Sequence, residues 1–448
     1  MGLPVTNPIV LSRASLTPAP GVPLRDPKSA VRFVNQFNDQ LKLSTADRKE
    51  KDQLSVNSPA KFLRVNPALF FQDMKGPYAH ASHLLGPSPS GGSRPSPIIT
   101  IAGDAHLGNF GTIRAADGQT MWGCHACSSC GCSLVMWGLN DYDMAGQGSV
   151  ENEIERTATS IALMARAGSD SNQLIADFTH GYLAEMSRLS TAPTPQNSGL
   201  TAGEAQGPVA DLIADRSEKT QKHLLKKLAT QGPDGYQLQR TDELLNPTPQ
   251  DHQLVQSMLT GYDQTQGATP SLERPIKILD LARRVDSGGS TFGLNRYYAL
   301  VQGTGSLPLI MEIKQELPSA PETASADPRQ CSAKNLLAGM QALGGTPNPI
   351  EATATAIDGT PYFIREREPE KGSVDLSKLS PTKAASLVTQ AGTALARAHA
   401  HEPGAAAAVT RWVGSDESTL TTNLESFAQT YAQQTRNDTQ AFAATLPP

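Results

Sequence analysis

The sequence predicts an α+β fold in two lobes, a helical one and a β-rich one. Three observations predict it: a Gly-Asp turn inside IAGDAHLGNFG (101–111), paired aspartates inside GLNDYDM (138–144), and a later glycine loop whose next strand ends on a lysine (276–314). Both aspartate-bearing turns are entered from apolar, strand-like runs, whereas the segments between and after them carry apolar residues at helical spacing.

In chain order, residues 1–28 are Pro-rich and expected to be disordered or loosely packed. MGLPVTNPIVLSRASLTPAP lacks the apolar core of a secretory signal, though Gly2 and Thr6 fit a loose myristoylation pattern. Residues 29–94 read as a helical stretch over about 28–54, a second helix SPAKFLRVNPALFFQDM carrying Arg64, and a flexible loop PSPSGGSRPSP at 87–97. The third unit, 95–270, opens on the strand PIITIAGD. It continues into helices at 151–168 and 171–189 and a polar stretch of helix and linker from 190 to 270. The fourth, 271–375, is β-rich: a strand into the loop Gly288–Gly293, the segment YYALV, and the strand LIMEIK ending on Lys314. A helix at 328–343 and the hairpin EATATAIDGTPYFIRERE with its Asp358-Gly359 turn complete it. Two helices, TKAASLVTQAGTALARAHAHE and TTNLESFAQTYAQQTRNDTQAFAAT, fill 376–448.

Composition bounds the class. Gly and Pro together are 70 of 448 residues, below the roughly 25 to 30% of low-complexity chains, so a packed core is expected. A formal charge of −5 without a basic cluster argues against nucleic acid as a partner. No run of 18 apolar residues exists, so no membrane span is expected.

The turns carry groups that phosphoryl transfer from ATP needs: a carboxylate to accept the hydroxyl proton, and an Asn and a second Asp to hold Mg2+ against the phosphates. Asp104 is the expected base, with Asn109 and Asp141 as metal ligands and Asp143 as a further ligand or a supporting group. His106 either touches phosphate or hydrogen-bonds the backbone of its own turn. The loop with Gly288, Gly289, Ser290 and Gly293 is expected to close over the phosphates, and Lys314 to supply a point charge for them. Arg365 and Glu366 end a strand where a hinge would contact adenine or substrate. Glu153 and Arg156, three apart on one helical face, either pair at the surface or brace the first turn. Asp, Asn and Gly are also ordinary turn residues, and GGSTFG alone fits a hairpin.

The insert in TMWGCHACSSCGCSLVMWGLNDYD places Cys124, Cys127, Cys130 and Cys132 beside His125, at spacings that can bind zinc. MWG occurs at 121–123 and again at 136–138, so removing 124–138 restores TMWGLNDYDM, and an expanded loop is the favoured reading. Cys331 stands alone. Thiols this dense suit a reducing compartment, and a cytoplasmic location is expected.

Taken together, KFLRVNP, GDAHLGNFG, LNDYD, ENEIERTATS, RRVDSGGSTFGLNRYYALVQG, EIKQELPSA, YFIRERE, ALARAHA and FAQTYAQQTRND resemble the domain of unknown function 2252 family over about 45–445. That family consists mainly of bacterial proteins regarded as distant relatives of kinases. The resemblance implies a kinase-like fold and a nucleotide site but no substrate. Ser290 replaces a glycine, Glu153 stands where an Asp is usual, and the Cys-rich insert splits the two loops. No glutamate in 324–350 is placed to pair with Lys314. Catalytic and metal loops precede the glycine loop and lysine, the reverse of the usual kinase order, so a circular permutation is expected. The sequence thus leads to an Mg-ATP-dependent phosphotransferase acting on a small molecule. The alternatives are AMP transfer by a kinase-like enzyme and a non-catalytic nucleotide-binding protein.

Overall fold

The computed structural model describes residues 24–79, 83–86, 94–114, 135–195, 197–233, 235–265, 272–285, 288–323, 333–344 and 350–447. The N-terminal 23 residues with Gly2 and Thr6, most of the 87–97 loop, the Cys124–Cys132 insert and Cys331 lie outside them.

The N-terminal segment forms α1 (Pro27–Gln40), α2 (Thr45–Val56), α3 (Pro59–Val65) and α4 (Pro67–Lys75). The single helical stretch expected over 28–54 is divided because Lys42 turns to φ 52 and Ser44 caps a new helix, its hydroxyl accepting the Asp47 N–H at 3.1 Å. The expected SPAKFLRVNPALFFQDM helix is likewise two helices. Asn66 precedes Pro67, whose ring drives it out of the helical region to φ −121, ψ 56. Loose packing does not extend to residue 28, since Arg25 bonds both Asp73 and Asp438 at 2.7 Å.

The central segment runs β1 (Ile98–Ile101), a 3-10 turn (Leu107–Asn109), β2 (Phe110–Arg114), β3 (Val135–Leu139), β4 (Gly146–Ser149), α5 (Val150–Met164) and α6 (Ser171–Leu189). β1 pairs antiparallel with β4 (Ile101 opposite Gly146) and β2 with β3 (Thr112 opposite Trp137). The stretch read as helix and linker holds α7 (Gly207–Ser217), α8 (Gln221–Leu228) and α9 (Pro249–Thr265). It also holds three short strands not anticipated: β5 (Ala229–Gly232), β6 (Gly235–Leu238) and β7 (Leu244–Leu245).

The later segment supplies β8 (Ile278–Arg284), β9 (Arg296–Val301), β10 (Leu309–Gln315), α10 (Ala320–Thr323), α11 (Ala333–Gly344), β11 (Ala352–Thr355) and β12 (Pro361–Glu366). The chain ends with α12 (Pro381–Ala400), α13 (Ala405–Val413) and α14 (Glu417–Ala443). Six strands form one antiparallel sheet in the order β11-β12-β10-β9-β8-β7. The period of two divides its residues. Met311 and Ile313 join Tyr297, Ala299 and Ile364 in a core with Val255, Leu259 and Tyr262 of α9. Ile310 joins Tyr298, Leu300 and Leu225 on the opposite face, where the next residues along β10 are Glu312 and Lys314. That face begins apolar and ends charged.

The largest core joins α5, α6, α12 and α14 to the β1–β4 and β2–β3 pairs. Glycines let α6 and α12 touch backbone to backbone: a Cβ on Gly392 would stand 2.2 Å from the Phe178 carbonyl oxygen, and one on Gly181 2.2 Å from that of Thr389. The mixed helix-and-strand class is as expected. No described helix is long and apolar enough to cross a membrane.

Candidate functional site

One face of α5 builds the first turn. Glu153, Arg156, Thr157 and Ser160 fall at i, i+3, i+4 and i+7, the spacing that aligns side chains along one side of a helix. The Glu153 carboxylate accepts the N–H groups of Ala102 (2.5 Å) and Gly103 (2.8 Å) and meets His399 Nε2 at 3.1 Å, while His399 Nδ1 meets the Tyr182 hydroxyl at 2.8 Å. Arg156 Nε donates to Asp104 Oδ1 at 3.0 Å, and its Nη2 reaches the same oxygen and the Leu63 carbonyl. Thr157 donates to the Ala105 carbonyl at 2.7 Å, and Ser160 accepts the Leu107 N–H at 2.9 Å. Glu153 and Arg156 therefore brace the turn and do not pair with each other. Gly103 is required where it stands: its φ is +73, and a Cβ there would lie 2.2 Å from the Met144 carbonyl oxygen.

Within the turn, Asn109 Nδ2 donates to the Asp104 carbonyl at 3.0 Å and approaches Oδ2 at 3.5 Å. His106 Nδ1 accepts the Gly108 N–H at 3.0 Å, and Nε2, without a hydrogen-bond partner among the described residues, faces Asp104 Oδ2 at 3.8 Å. Burial, reinforced by Arg64 and Arg156, holds the His106 pKa well below the usual value, so the ring is neutral. Burial raises the Asp104 carboxyl to about 6, against the pull of Arg156 and Arg64 and with a further push from Asp141.

The second turn joins the first directly, as the Asn140 N–H donates to the Asn109 carbonyl at 3.0 Å. Asp141 is only partly covered, but cations surround it. Burial would raise its pKa, yet Lys314, Arg365, Lys371 and Arg296 bring it down to about 2. Asp143 forms an ion pair with Lys314, and Glu316 stands 3.6 Å from the same ammonium. Glu312 and Lys314 share one face of β10 by the two-residue period, and Glu316 is the first residue past its end. Neither Glu316 oxygen has a hydrogen-bond partner among the described residues, and burial lifts its pKa to about 7 despite Lys314.

The other expected residues take varied places. Gly288 (φ +106) and Gly293 (φ +81) adopt the backbone that favours glycine, and the Ser290 carbonyl accepts from Lys51 Nζ at 2.7 Å. Lys51 is fully buried beneath the loop, and burial lowers its pKa to about 7. Arg365 is committed to Glu312 (2.7 Å) and Glu366 to Arg114 (2.9 Å). The structure thus brings Asp104, His106, Asn109, Asp141, Asp143 and Lys314 together, with the glycine loop beside them. Lys51, Lys371, Arg296 and Glu316 were not anticipated. The pattern EIKQE signals Glu316, whereas nothing local marks Lys51, which sits on the polar helix TADRKEKDQLSV.

Among the described residues no group of three His, Cys, Asp or Glu side chains is placed to hold a metal by itself. Asp141, ionised, and Asn109, whose amide nitrogen is spent on Asp104, are the oxygen donors this centre offers to a cation that takes its remaining ligands from elsewhere. Chemically, the centre combines a carboxylate of raised basicity, an ionised carboxylate among cations, and a lysine paired with Asp143.

No curated protein matches this chain, and no solved structure does. A family model described as "Uncharacterized protein conserved in bacteria (DUF2252)" matches residues 51–445, which run from Lys51 under the glycine loop through both turns and β10 to the end of α14, and the chain belongs to the DUF2252 family.

Proposed function

We propose that this centre binds ATP with Mg2+ and transfers its terminal phosphoryl group to a small molecule, on a kinase-like arrangement whose segments are circularly permuted. The observation that carries the reading is the convergence of Asp104 and Asn109 from one turn, Asp141 from the next, and Lys314 and the glycine loop from the six-stranded sheet. Asp104 and Asn109 are separated by four residues, the spacing of the kinase catalytic loop, and the lysine lies on the second strand after the glycine loop, β10, as the kinase lysine lies on its third strand. Chain order differs, but the charges meet in one place.

Each residue then has a role. Asp104 accepts the acceptor's hydroxyl proton, and a carboxyl titrating near 6 is better matched to neutral pH than an ordinary aspartate. Bound Mg2+ neutralises phosphate charge. Asp141 and the Asn109 oxygen are the ligands that fit it, since Mg2+ takes one or two carboxylates and completes its shell with phosphates and water. Lys314 leaves part of its contact with Asp143 to meet phosphate. Gly288 and Gly293 permit the backbone to close over it. Burial keeps His106 neutral, so it shapes the turn without adding charge.

One observation favours a second reading, nucleotide binding without transfer: Arg156 occupies Asp104 Oδ1 through both Nε and Nη2, leaving a hydroxyl only the other oxygen. AMP transfer keeps the same loop and lysine with the phosphates reversed. Mass spectrometry of a reaction with Mg-ATP separates ADP formation from AMP incorporation. Mg-ATP raises the melting temperature under this proposal, and Lys314→Ala weakens that rise. An unchanged melting curve at millimolar Mg-ATP rules out the nucleotide site.

A further inference from the structure

Arg64 closes α3 on the side of the molecule that faces both the glycine loop and the first turn. A Cβ on Gly289 would stand 3.3 Å from Arg64 Cγ and Nε, and one on Gly108 4.0 Å from Arg64 Nη1. The guanidinium therefore bridges the gap between the loop that covers phosphates and the turn that carries Asp104. It also acts on both groups of that turn electrostatically, lowering the pKa of Asp104 and of His106. Lys61, three residues earlier on α3, faces the same region, and its own pKa falls through burial and the charge of Arg64.

Apart from Lys61, whose ammonium is a point charge without a planar fork, the other cations of this region are already committed. Arg156 is held by Asp104, Arg365 and Arg296 by Glu312, and Lys314 by Asp143. The Arg64 side chain, partly exposed, makes no hydrogen bond or ion pair with the described residues. A planar guanidinium with five donors, always charged and free of a carboxylate, is suited to a phosphoryl group that needs several oxygens held at once. Gly289 has a matching reason to lack a side chain, since any Cβ would press on the Arg64 stem.

We propose that Arg64 contacts the transferring phosphoryl group and stabilises its charge in the transition state, as an arginine supplied from within the same chain. This rests on the phosphotransfer reading of the site. In the step, a bond forms between the terminal phosphorus and the acceptor oxygen, or water in its absence, while the bond from that phosphorus to the bridging oxygen of ADP breaks. The hydroxyl proton passes to Asp104, and Arg64 neither gains nor loses one.

The test compares binding of Mg-ADP alone with binding of Mg-ADP plus fluoroaluminate, which mimics the phosphoryl group in flight, for the wild type, Arg64→Lys and Arg64→Ala. Both variants are expected to bind Mg-ADP like the wild type. They should lose at least about tenfold in affinity for the fluoroaluminate complex and in ATP turnover, Lys less than Ala, because cis and trans arginines of this type contribute about a thousandfold or more. Added guanidine should restore part of the Arg64→Ala turnover. Equal losses for both ligands, or none for either, overturn the proposal. If Arg64→Ala melts below the assay temperature, Arg64→Lys decides the question. A wild type that binds neither ligand defeats the nucleotide reading itself, whereas a wild type that binds both with variants that match it defeats only the role of Arg64.

Discussion

Arg156 donates through Nε to Asp104 Oδ1 at 3.0 Å, and the pair sits in the core with Arg156 wholly buried and Asp104 8% exposed. Two desolvated charges add little net stability as a pair, but removing one partner strands the other, at a cost of about 3 to 5 kcal/mol. Arg156→Met should therefore destabilise the protein by that order, and Arg156→Met with Asp104→Asn should recover most of it. Asp104 is already raised to about 6 by burial with Arg156 pulling it down, so without the guanidinium it rises further. A carboxyl whose folded pKa is raised stabilises below its unfolded value and loses that contribution as pH climbs through the folded one. The Arg156→Met penalty should thus be smaller at pH 5 than at pH 8. Thermal melts of the wild type, Arg156→Met, Asp104→Asn and the double variant at both values check this, and additive single-mutant effects would sink it.

The hairpin of β2 and β3 gives the Cys-rich insert a structural test. Deleting 124–138 places Met121, Trp122 and Gly123 where Met136, Trp137 and Gly138 stand. Trp137 is buried, and a Cβ at position 138 would stand 3.2 Å from the Gly199 Cα, so the replacement must supply an indole and a glycine in that order, which it does. The connection shrinks to AADGQ at 115–119, a five-residue loop with an Asp-Gly turn. The shortened protein should fold with a melting temperature close to that of the full chain. Loss of cooperative melting, or stoichiometric zinc in the full chain with unfolding on chelation, would show that the insert holds the fold.

Buried carboxyls set a pH dependence away from the site as well. Glu151 accepts the Leu84 N–H at 2.8 Å, yet burial outweighs that bond and lifts its pKa to about 8. Glu155, one turn along α5, has no hydrogen-bond partner for either oxygen among the described residues and is pushed well up by burial and by Glu151. Both are protonated in the folded chain at pH values where the unfolded chain has lost the proton, so stability is full below about 4.5 and declines toward pH 8. Lys51 acts in the other direction, but only from about 7 upward, as its folded pKa lies below its unfolded one. Melting temperature should fall from pH 5 to pH 7, and Glu151→Gln, which keeps an acceptor for Leu84, should make the fall shallower. Parallel curves for the two proteins would refute the assignment.

Elements with a local signature were legible in the sequence. The strands that flank the glycine loop, the Asp358-Gly359 hairpin and the helices at α5, α6, α12 and α14 each declare themselves by period or turn chemistry. Boundaries were lost where one residue overrides the pattern, as at Lys42 and at Asn66 before Pro67. The candidate site was legible in its turns and only in part in its supports. The spacing of Glu153 and Arg156 left a surface pair and a brace both open without naming Ala102 and Gly103 as partners, and nothing local marks Lys51 until the fold sets it beneath Ser290, 239 residues away. Partners that distant are set by tertiary packing, which no window of one chain reports.

The two aspartates should fail in different ways when their charge is removed. Asp104→Asn keeps size and hydrogen-bonding reach but cannot accept a proton, so nucleotide affinity should survive while turnover falls about 100 to 10,000-fold. The loss of charge also strands Arg156, so some destabilisation accompanies it. Asp141→Asn removes an ionised oxygen from among Lys314, Arg365, Lys371 and Arg296, and those cations are left to hold phosphate alone. Its nucleotide binding should lose most of its dependence on Mg2+, because the charged ligand to the cation is gone. Titrating ATP with and without Mg2+ into both variants, beside any ATP consumption, reads the two effects separately. If Asp104→Asn abolished binding in a folded protein while Asp141→Asn left binding, its Mg2+ dependence and turnover intact, the roles given to base and ligand would be wrong.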